Sequence, residues 1–260
     1  MQGLGRNRVV EILKTKSLTK RFGGVAAVML VDLSVEQGTT HAVIGPNGAG
    51  KTTLFNLITS YLEPTSGGVF FKEEEITRMP PHIICRKGIA RSFQLTNVYP
   101  KLTAFESVQM SLISLKGMAR NVFRSSKGFL REDTEKILDM VGLLQKKDLT
   151  ADLLSHGDKK RLELAITLGN KPELLLMDEP TAGMGPDETW AIVDLLRRLR
   201  EDEKLTVLFT EHDMDVVFDI ADRISVLHQG MLISEGSPRE IQGDEKVRSC
   251  YLGSASYSGS

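Results

Sequence analysis

Apolar and polar positions recur with two different periods along this chain, and the changes of period predict its elements. Val9 to Thr15 is a β-like run, and Leu30 to Glu36 (LVDLSVE) alternates as a half-buried strand does. Lys20 to Gly24 between them reads as a turn carrying one aromatic, Phe22. Thr39 to Ile44 is β-branched and apolar, as a buried strand requires, and a helical pattern runs from Thr53 to Ile58. Pro64 to Gly68 is a turn, Val69 to Phe71 a short strand, Pro80-Pro81 the start of a helix ending at Gly88, and Ile89 to Gln94 is extended.

Between residues 95 and 160 strand signals fade. Phe105, Val108, Leu112 and Leu115 recur at helical spacing. Ile137, Leu138 and Val141 do so behind acids (Glu132, Asp133, Glu135) that suit a helix N-terminus. Residues 117–130 look like a basic, mobile connection. The alternation then resumes: strands at Leu174 to Met177, Leu205 to Phe209 and Arg223 to Leu227, helices at Pro186 to Arg200 and Asp213 to Ile220. This order predicts an α/β core, a parallel sheet with helices on both faces, interrupted by a helical subdomain. Residues 253–260 are small and polar and are expected to be disordered.

Composition changes this picture little. The chain has 260 residues, 41% hydrophobic and 26% charged, as in an ordinary globular protein. A net charge of −1 gives no basic excess for nucleic acid, so no nucleic-acid partner is expected. Cys85 and Cys250 lie far apart, form no metal spacing, and read as free thiols. No apolar run approaches the roughly 20 residues of a membrane span, and no signal peptide is evident.

Candidate chemistry gathers at strand ends. Gly45-Pro46-Asn47-Gly48-Ala49-Gly50-Lys51-Thr52-Thr53 fits the pattern G-x-x-x-x-G-K-[ST] between a strand and a helix start. Its glycines let successive N–H groups face one concavity, where the helix dipole adds positive potential. Lys51 suits the β- and γ-phosphates of a nucleoside triphosphate, and the Thr52 hydroxyl suits Mg²⁺. The strand Leu174 to Met177 ends in Asp178 and Glu179: one acid for Mg²⁺, the next to polarise an attacking water. A second strand ends at Thr210-Glu211-His212, where His212 suits a γ-phosphate oxygen. Ser155 and Gly157, in Leu154-Ser155-His156-Gly157-Asp158, precede a helix, as either a second phosphate site or an ordinary N-cap. One triphosphate does not need two such helix termini, whereas two chains arranged head to tail would.

Taken in order, these motifs resemble the ATP-binding cassette (ABC) ATPases over about residues 8–252. Gly45 to Thr52 is similar to Walker A, Gln94 in Arg91-Ser92-Phe93-Gln94 to the Q-loop, Leu154 to Asp158 to the L-S-G-G-Q signature, Leu174 to Glu179 to Walker B with its catalytic glutamate, and His212 to the H-loop switch. Phe22 falls where the family's base-stacking aromatic lies. The resemblance implies a P-loop NTPase fold: a RecA-like mixed sheet with helices on both faces, an N-terminal antiparallel β subdomain and an inserted α-helical subdomain. The implied divisions are 8–94, 95–160 and 161–252. The cofactors implied are ATP and Mg²⁺, with Gln94 sensing the metal beside Thr52 and Asp178.

Partners follow from the same resemblance. A second ABC ATPase subunit, in a homo- or heterodimer, would set Ser155 and Gly157 of one chain on the nucleotide of the other. Transmembrane permease subunits would dock near Leu95 to Leu102, with a solute-binding protein acting indirectly. The chain would then sit peripherally on the cytoplasmic side of the membrane. His156, Asp158 and Gly185 depart from the usual Gly, Gln and Asp. Within the family the text RSFQ, TEHDMDVVFDIADRISVLHQG and the ending YLG resemble the LivG-type importers of branched-chain amino acids. The LSHG form also resembles urea-importer relatives. Urea or amide uptake and lipopolysaccharide export are the alternatives within the family. A soluble non-transport ABC protein fits less well, since the chain has one cassette and no heptad run. Glu179 and His212 argue against a P-loop kinase.

Overall fold

The structure, a computed structural model, describes residues 10–92, 99–115 and 126–252. In chain order its elements are β1 (Glu11–Phe22), β2 (Val25–Val31), β3 (Ser34–Glu36), β4 (Thr40–Ile44), α1 (Lys51–Ile58), β5 (Ser66–Phe71), β6 (Glu74–Glu75), α2 (Pro81–Lys87), β7 (Ile89–Ser92), α3 (Ala104–Leu115), α4 (Ser126–Met140), α5 (His156–Leu168), β8 (Leu174–Asp178), α6 (Pro186–Glu203), β9 (Thr206–Thr210), α7 (Met214–Ile220), β10 (Arg223–His228), β11 (Met231–Gly236), α8 (Pro238–Gly243) and α9 (Glu245–Leu252). They divide into two units, one from residues 1–79 and 221–260, the other from 80–220. Among the described residues no helix is long and apolar enough to cross a membrane.

In the first unit β1 pairs antiparallel with β2, β3 and β5, and β5 with β6. The expected turn at Lys20 to Gly24 is shorter than its sequence suggests. β1 continues through Phe22, which pairs with Val25 across Gly23-Gly24, and Gly23 takes φ 57°. A positive φ at the tip of a two-residue loop matches the right-handed twist of the flanking strands. The single strand expected over Leu30 to Glu36 is divided into β2 and β3. The buried Thr15 hydroxyl explains the break: it donates to Val31 O and accepts from Leu33 N–H, both at 2.8 Å. It thereby satisfies backbone groups that would otherwise be orphaned.

The same unit carries β4, buried along its whole length, parallel to β10, which pairs antiparallel with β11. Strands covered on both faces read as continuous apolar runs. The exception is His41, fully buried in β4. Its Nε2 lies 2.8 Å from Ser225 Oγ, and that hydroxyl donates to Glu235 Oε2 at 3.1 Å. With its single proton committed to Glu235, Ser225 accepts from His41, which is therefore the Nε2–H tautomer. Burial first, and then the nearby Arg223 charge, push the imidazole pKa down to about 4.

In the second unit β7, β8 and β9 run parallel, with Ile89 opposite Leu174 and Leu174 opposite Thr206. α6 buries Ile192, Val193, Leu196 and Leu199 as one stripe. α3 packs on α4 and α5, and it starts with a reciprocal cap between Thr103 and Glu106. α4 begins at Ser126, so Glu132, Asp133 and Glu135 lie inside the helix rather than at its start. Glu135 instead accepts from Lys147 Nζ at 2.7 Å and Arg131 Nε at 3.0 Å. Cationic partners replace the helix dipole as its source of positive potential.

His41 generates a pH prediction. Its folded pKa of about 4 lies below the ordinary value of 6.5, so the unfolded chain binds more protons in between. Stability should fall as pH drops through that window, by at most about 1.4 kcal/mol per pH unit from this group. Urea unfolding at steps between pH 7 and 4 should show this slope, and His41→Gln should flatten it. An unchanged slope in the variant would rule His41 out as its source.

Candidate functional site

The candidate phosphate loop, in the first unit, is the turn after β4. Gly45 has φ 154°, and a Cβ there would lie 2.1 Å from Leu227 O. Gly50, the residue before α1, has φ 107°, and a Cβ there would meet Ala27 O at 2.3 Å. Both glycines are therefore demanded by close backbone approach as well as by conformation. The loop is braced from within and from the side. Ala49 N–H donates to Pro46 O at 3.1 Å, and Gly230 N–H donates to Ala49 O at 2.9 Å. α1 starts at Lys51, whose side chain is buried against the loop and donates to Gly45 O at 2.7 Å and Pro46 O at 3.2 Å. Thr52 is exposed at the start of the helix, beside Thr53. In the same unit Phe22 closes the β1–β2 hairpin, half exposed, with Lys20 Nζ 5.1 Å from its ring centre.

The acidic half is built in the second unit where β8 and β9 end in register, Asp178 opposite Thr210. Asp178 is held on both oxygens. Thr210 Oγ1 donates to Oδ1 at 2.5 Å, and Arg91 from β7 reaches Oδ2 at 3.2 Å. Both partners of this ion pair are nearly buried, with side chains 10% and 14% exposed, so the carboxylate is fixed in orientation. Glu179 follows in the left-handed region, φ 51°, which turns its side chain out of the strand direction. Its N–H donates to Thr210 O at 3.0 Å. Its Oε1 lies 2.7 Å from His212 Nε2, and both side chains remain partly open to solvent. A carboxylate against an imidazole, open on one side, is an arrangement suited to holding and polarising a water.

Three neighbours carry no signature of their own in the sequence. Arg91 and Thr210 fix Asp178, as described. Glu211, only 4% exposed, accepts Thr181 N–H at 2.9 Å and Thr181 Oγ1–H at 2.5 Å on one oxygen, and His212 N–H at 3.0 Å on the other. The signals that might have revealed them are positional only: each falls in or beside a strand that carries a recognised motif.

The second helix terminus lies in the same unit. Ser155 is the N-cap of α5, its Oγ accepting from Asp158 N–H at 3.2 Å. The ordinary capping role is therefore real, and the exposed hydroxyl serves it. Asp158, at the position that departs from the expected signature, pairs with Lys146. Gly157 has Glu188 packed against it: a Cβ there would fall 2.7 Å from Glu188 Oε1. Gly185 is the N-cap of α6 and provides no side-chain cap. Gln94 lies outside the described residues.

The donor set bears on the metal. Among the described residues no group of three or more His, Cys, Asp or Glu is arranged to hold an ion. Thr52 in the first unit and Asp178 in the second each offer a hard oxygen donor of the kind that suits Mg²⁺.

Residues 28–182 match the family described as ABC transporter, and residues 231–257 match the branched-chain amino acid ATP-binding cassette transporter family. The chain is 38% identical to a high-affinity branched-chain amino acid transport ATP-binding protein, BraF, of Pseudomonas aeruginosa, over 94% of this chain and 98% of that one. It is 35% identical to LivG of Escherichia coli over the same shares. Among solved structures, the ADP conformation of an ATP-binding cassette of an ABC transporter superposes with TM-score 0.84 at 32% identity, covering 94% of this chain and 99% of that one. A dimeric cassette in a post-hydrolysis state with ADP and phosphate superposes at 0.74, with 28% identity over 87% of this chain and 99% of that one. The chain belongs to the ABC transporter family and is one of its ATP-hydrolysing cassettes.

Proposed function

We propose that this cassette powers a membrane importer of branched-chain or chemically similar amino acids, working as a pair with a second cassette. The observation that carries the reading is the Glu179–His212 contact at 2.7 Å beside an Asp178 immobilised on both oxygens. This is the apparatus of hydrolysis rather than of binding alone. Lys51 and the amides of Gly48 to Thr53 take the β- and γ-phosphates, and Phe22 stacks on the base. Thr52, Asp178 and Gln94 would hold Mg²⁺, which would supply charge neutralisation on the phosphates. Glu179 accepts a proton from water as the water oxygen bonds to the γ-phosphorus and the bond to the bridging oxygen breaks, releasing ADP and phosphate, while His212 holds Glu179 and a γ-phosphate oxygen. Each residue on this list acts by position and charge, as phosphoryl transfer requires.

Ser155 and Gly157 are proposed to complete the site of the partner cassette. Likeness to a dimeric cassette carrying ADP and phosphate supports that pairing. The carboxyl-terminal match to a branched-chain amino acid transporter family, and the names BraF and LivG, support the solute class. Permease subunits would supply the passage, and the chain would act peripherally at the cytoplasmic face. The divisions 8–94, 95–160 and 161–252 are proposed as its nucleotide, helical and remaining core segments.

Glu179→Gln should cut steady-state ATP turnover by about 100-fold or more while leaving ATP affinity intact. The same variant should elute as a dimer, or with a second cassette, in ATP. Unchanged turnover would remove Glu179 from the chemistry, and a monomer under every nucleotide and partner condition would remove the pairing. Lys51→Ala should instead weaken ATP binding itself, read by titration with a fluorescent nucleotide. For the solute, cells dependent on this cassette should take up labelled leucine in preference to labelled urea, and Glu179→Gln should abolish that uptake. Urea uptake with no leucine uptake would favour the alternative importer.

A further inference from the structure

We infer that Glu211 is a positioning residue for hydrolysis: its buried carboxylate ties the loop after Glu179 to His212, so that the two move as one body. This rests on the reading that Glu179 and His212 perform the hydrolysis. Glu211 is 4% exposed and directly follows the last residue of β9. Burying a carboxylate is strongly unfavourable unless its oxygens are satisfied. Here all the donors are neutral: Thr181 gives two, N–H at 2.9 Å and Oγ1–H at 2.5 Å, and His212 gives its N–H at 3.0 Å. An uncharged residue could fill the same space at lower cost. What the carboxylate adds is an acceptor on each side, one for the loop and one for the histidine backbone.

The consequence lies in what each end touches. Thr181 stands two residues after Glu179 and opens the turn Thr181-Ala182-Gly183-Met184, closed by Met184 N–H to Thr181 O at 3.1 Å. His212 carries the imidazole against Glu179. Glu179 is thus bracketed: its side chain meets His212, and its own loop is bound through Thr181 and Glu211 to the backbone of the same histidine. A displacement of the loop is carried to His212 through two oxygen atoms of one side chain. Since misplacement by about 1 Å can cost about 100-fold in rate, this tie is expected to matter for kcat.

Substitutions separate the two ends. Glu211→Gln keeps an acceptor for both Thr181 donors but turns an amide NH₂ toward the His212 N–H. Thr181→Val keeps the backbone donor and removes the hydroxyl. With purified protein, kcat, KM for ATP and thermal midpoint would be measured for each variant and for the pair, together with the imidazole ¹⁵N signals of His212. Glu211→Gln should lower kcat by about tenfold to 100-fold with KM for ATP nearly unchanged, and should displace the His212 signals. Thr181→Val should lower kcat less, and the double variant should be no slower than Glu211→Gln alone, as expected for groups acting through one contact. Unchanged kcat in Glu211→Gln, or losses that simply multiply in the double variant, would overturn the assignment while Glu179→Gln still tests the catalytic reading by itself. Wild-type turnover in Glu179→Gln would overturn that reading, and the role of Glu211 with it.

Discussion

The register between β8 and β9 is the constraint on which the acidic half of the site depends. Placing Asp178 opposite Thr210 brings the hydroxyl onto the carboxylate and aligns the two strand ends that carry Glu179 and His212. Side chains alternate along a strand, so a slip by one residue would turn Asp178 and Thr210 to opposite faces. Register is in turn held by burial: Leu174 to Met177 and Thr206 to Thr210 are enclosed, and each has one set of neighbours that fills space well. Core packing therefore sets the geometry of the acidic cluster at the strand ends.

The phosphate half obeys a different rule. Its geometry comes from close backbone approach, at Gly45 against Leu227 O and Gly50 against Ala27 O, rather than from side-chain packing. Such a loop has little freedom to deform. The acidic cluster is held instead by side-chain hydrogen bonds, from Thr210 and Arg91 to Asp178 and from Thr181 to Glu211.

What could be read from the sequence divides along the same line. The Walker A loop, the buried runs of β4, β8 and β9, and the N-cap at Ser155 are local patterns, visible within a few residues. The pairings of Asp178 with Arg91 and of Glu211 with Thr181 join residues 87 and 30 positions apart, and nothing in the spacing announces them. The same reason explains the misread elements. Thr15 dividing β2 from β3 is a contact across strands, and the acids of α4 mimic a helix start because local charge cannot reveal that Lys147 and Arg131 are the partners of Glu135. Gln94 was legible as a motif, but it falls outside the described residues.

Glu179 adopts a left-handed backbone, a conformation that costs a residue with a Cβ roughly 1–2 kcal/mol and costs glycine almost nothing. Folding and chemistry thus pull in opposite directions at this one position. A library screened only for heat resistance would drift toward glycine at 179, and on the proposed role of Glu179 its hardiest members would be inert. The glutamate stands in this chain where the fold by itself would prefer no side chain at all.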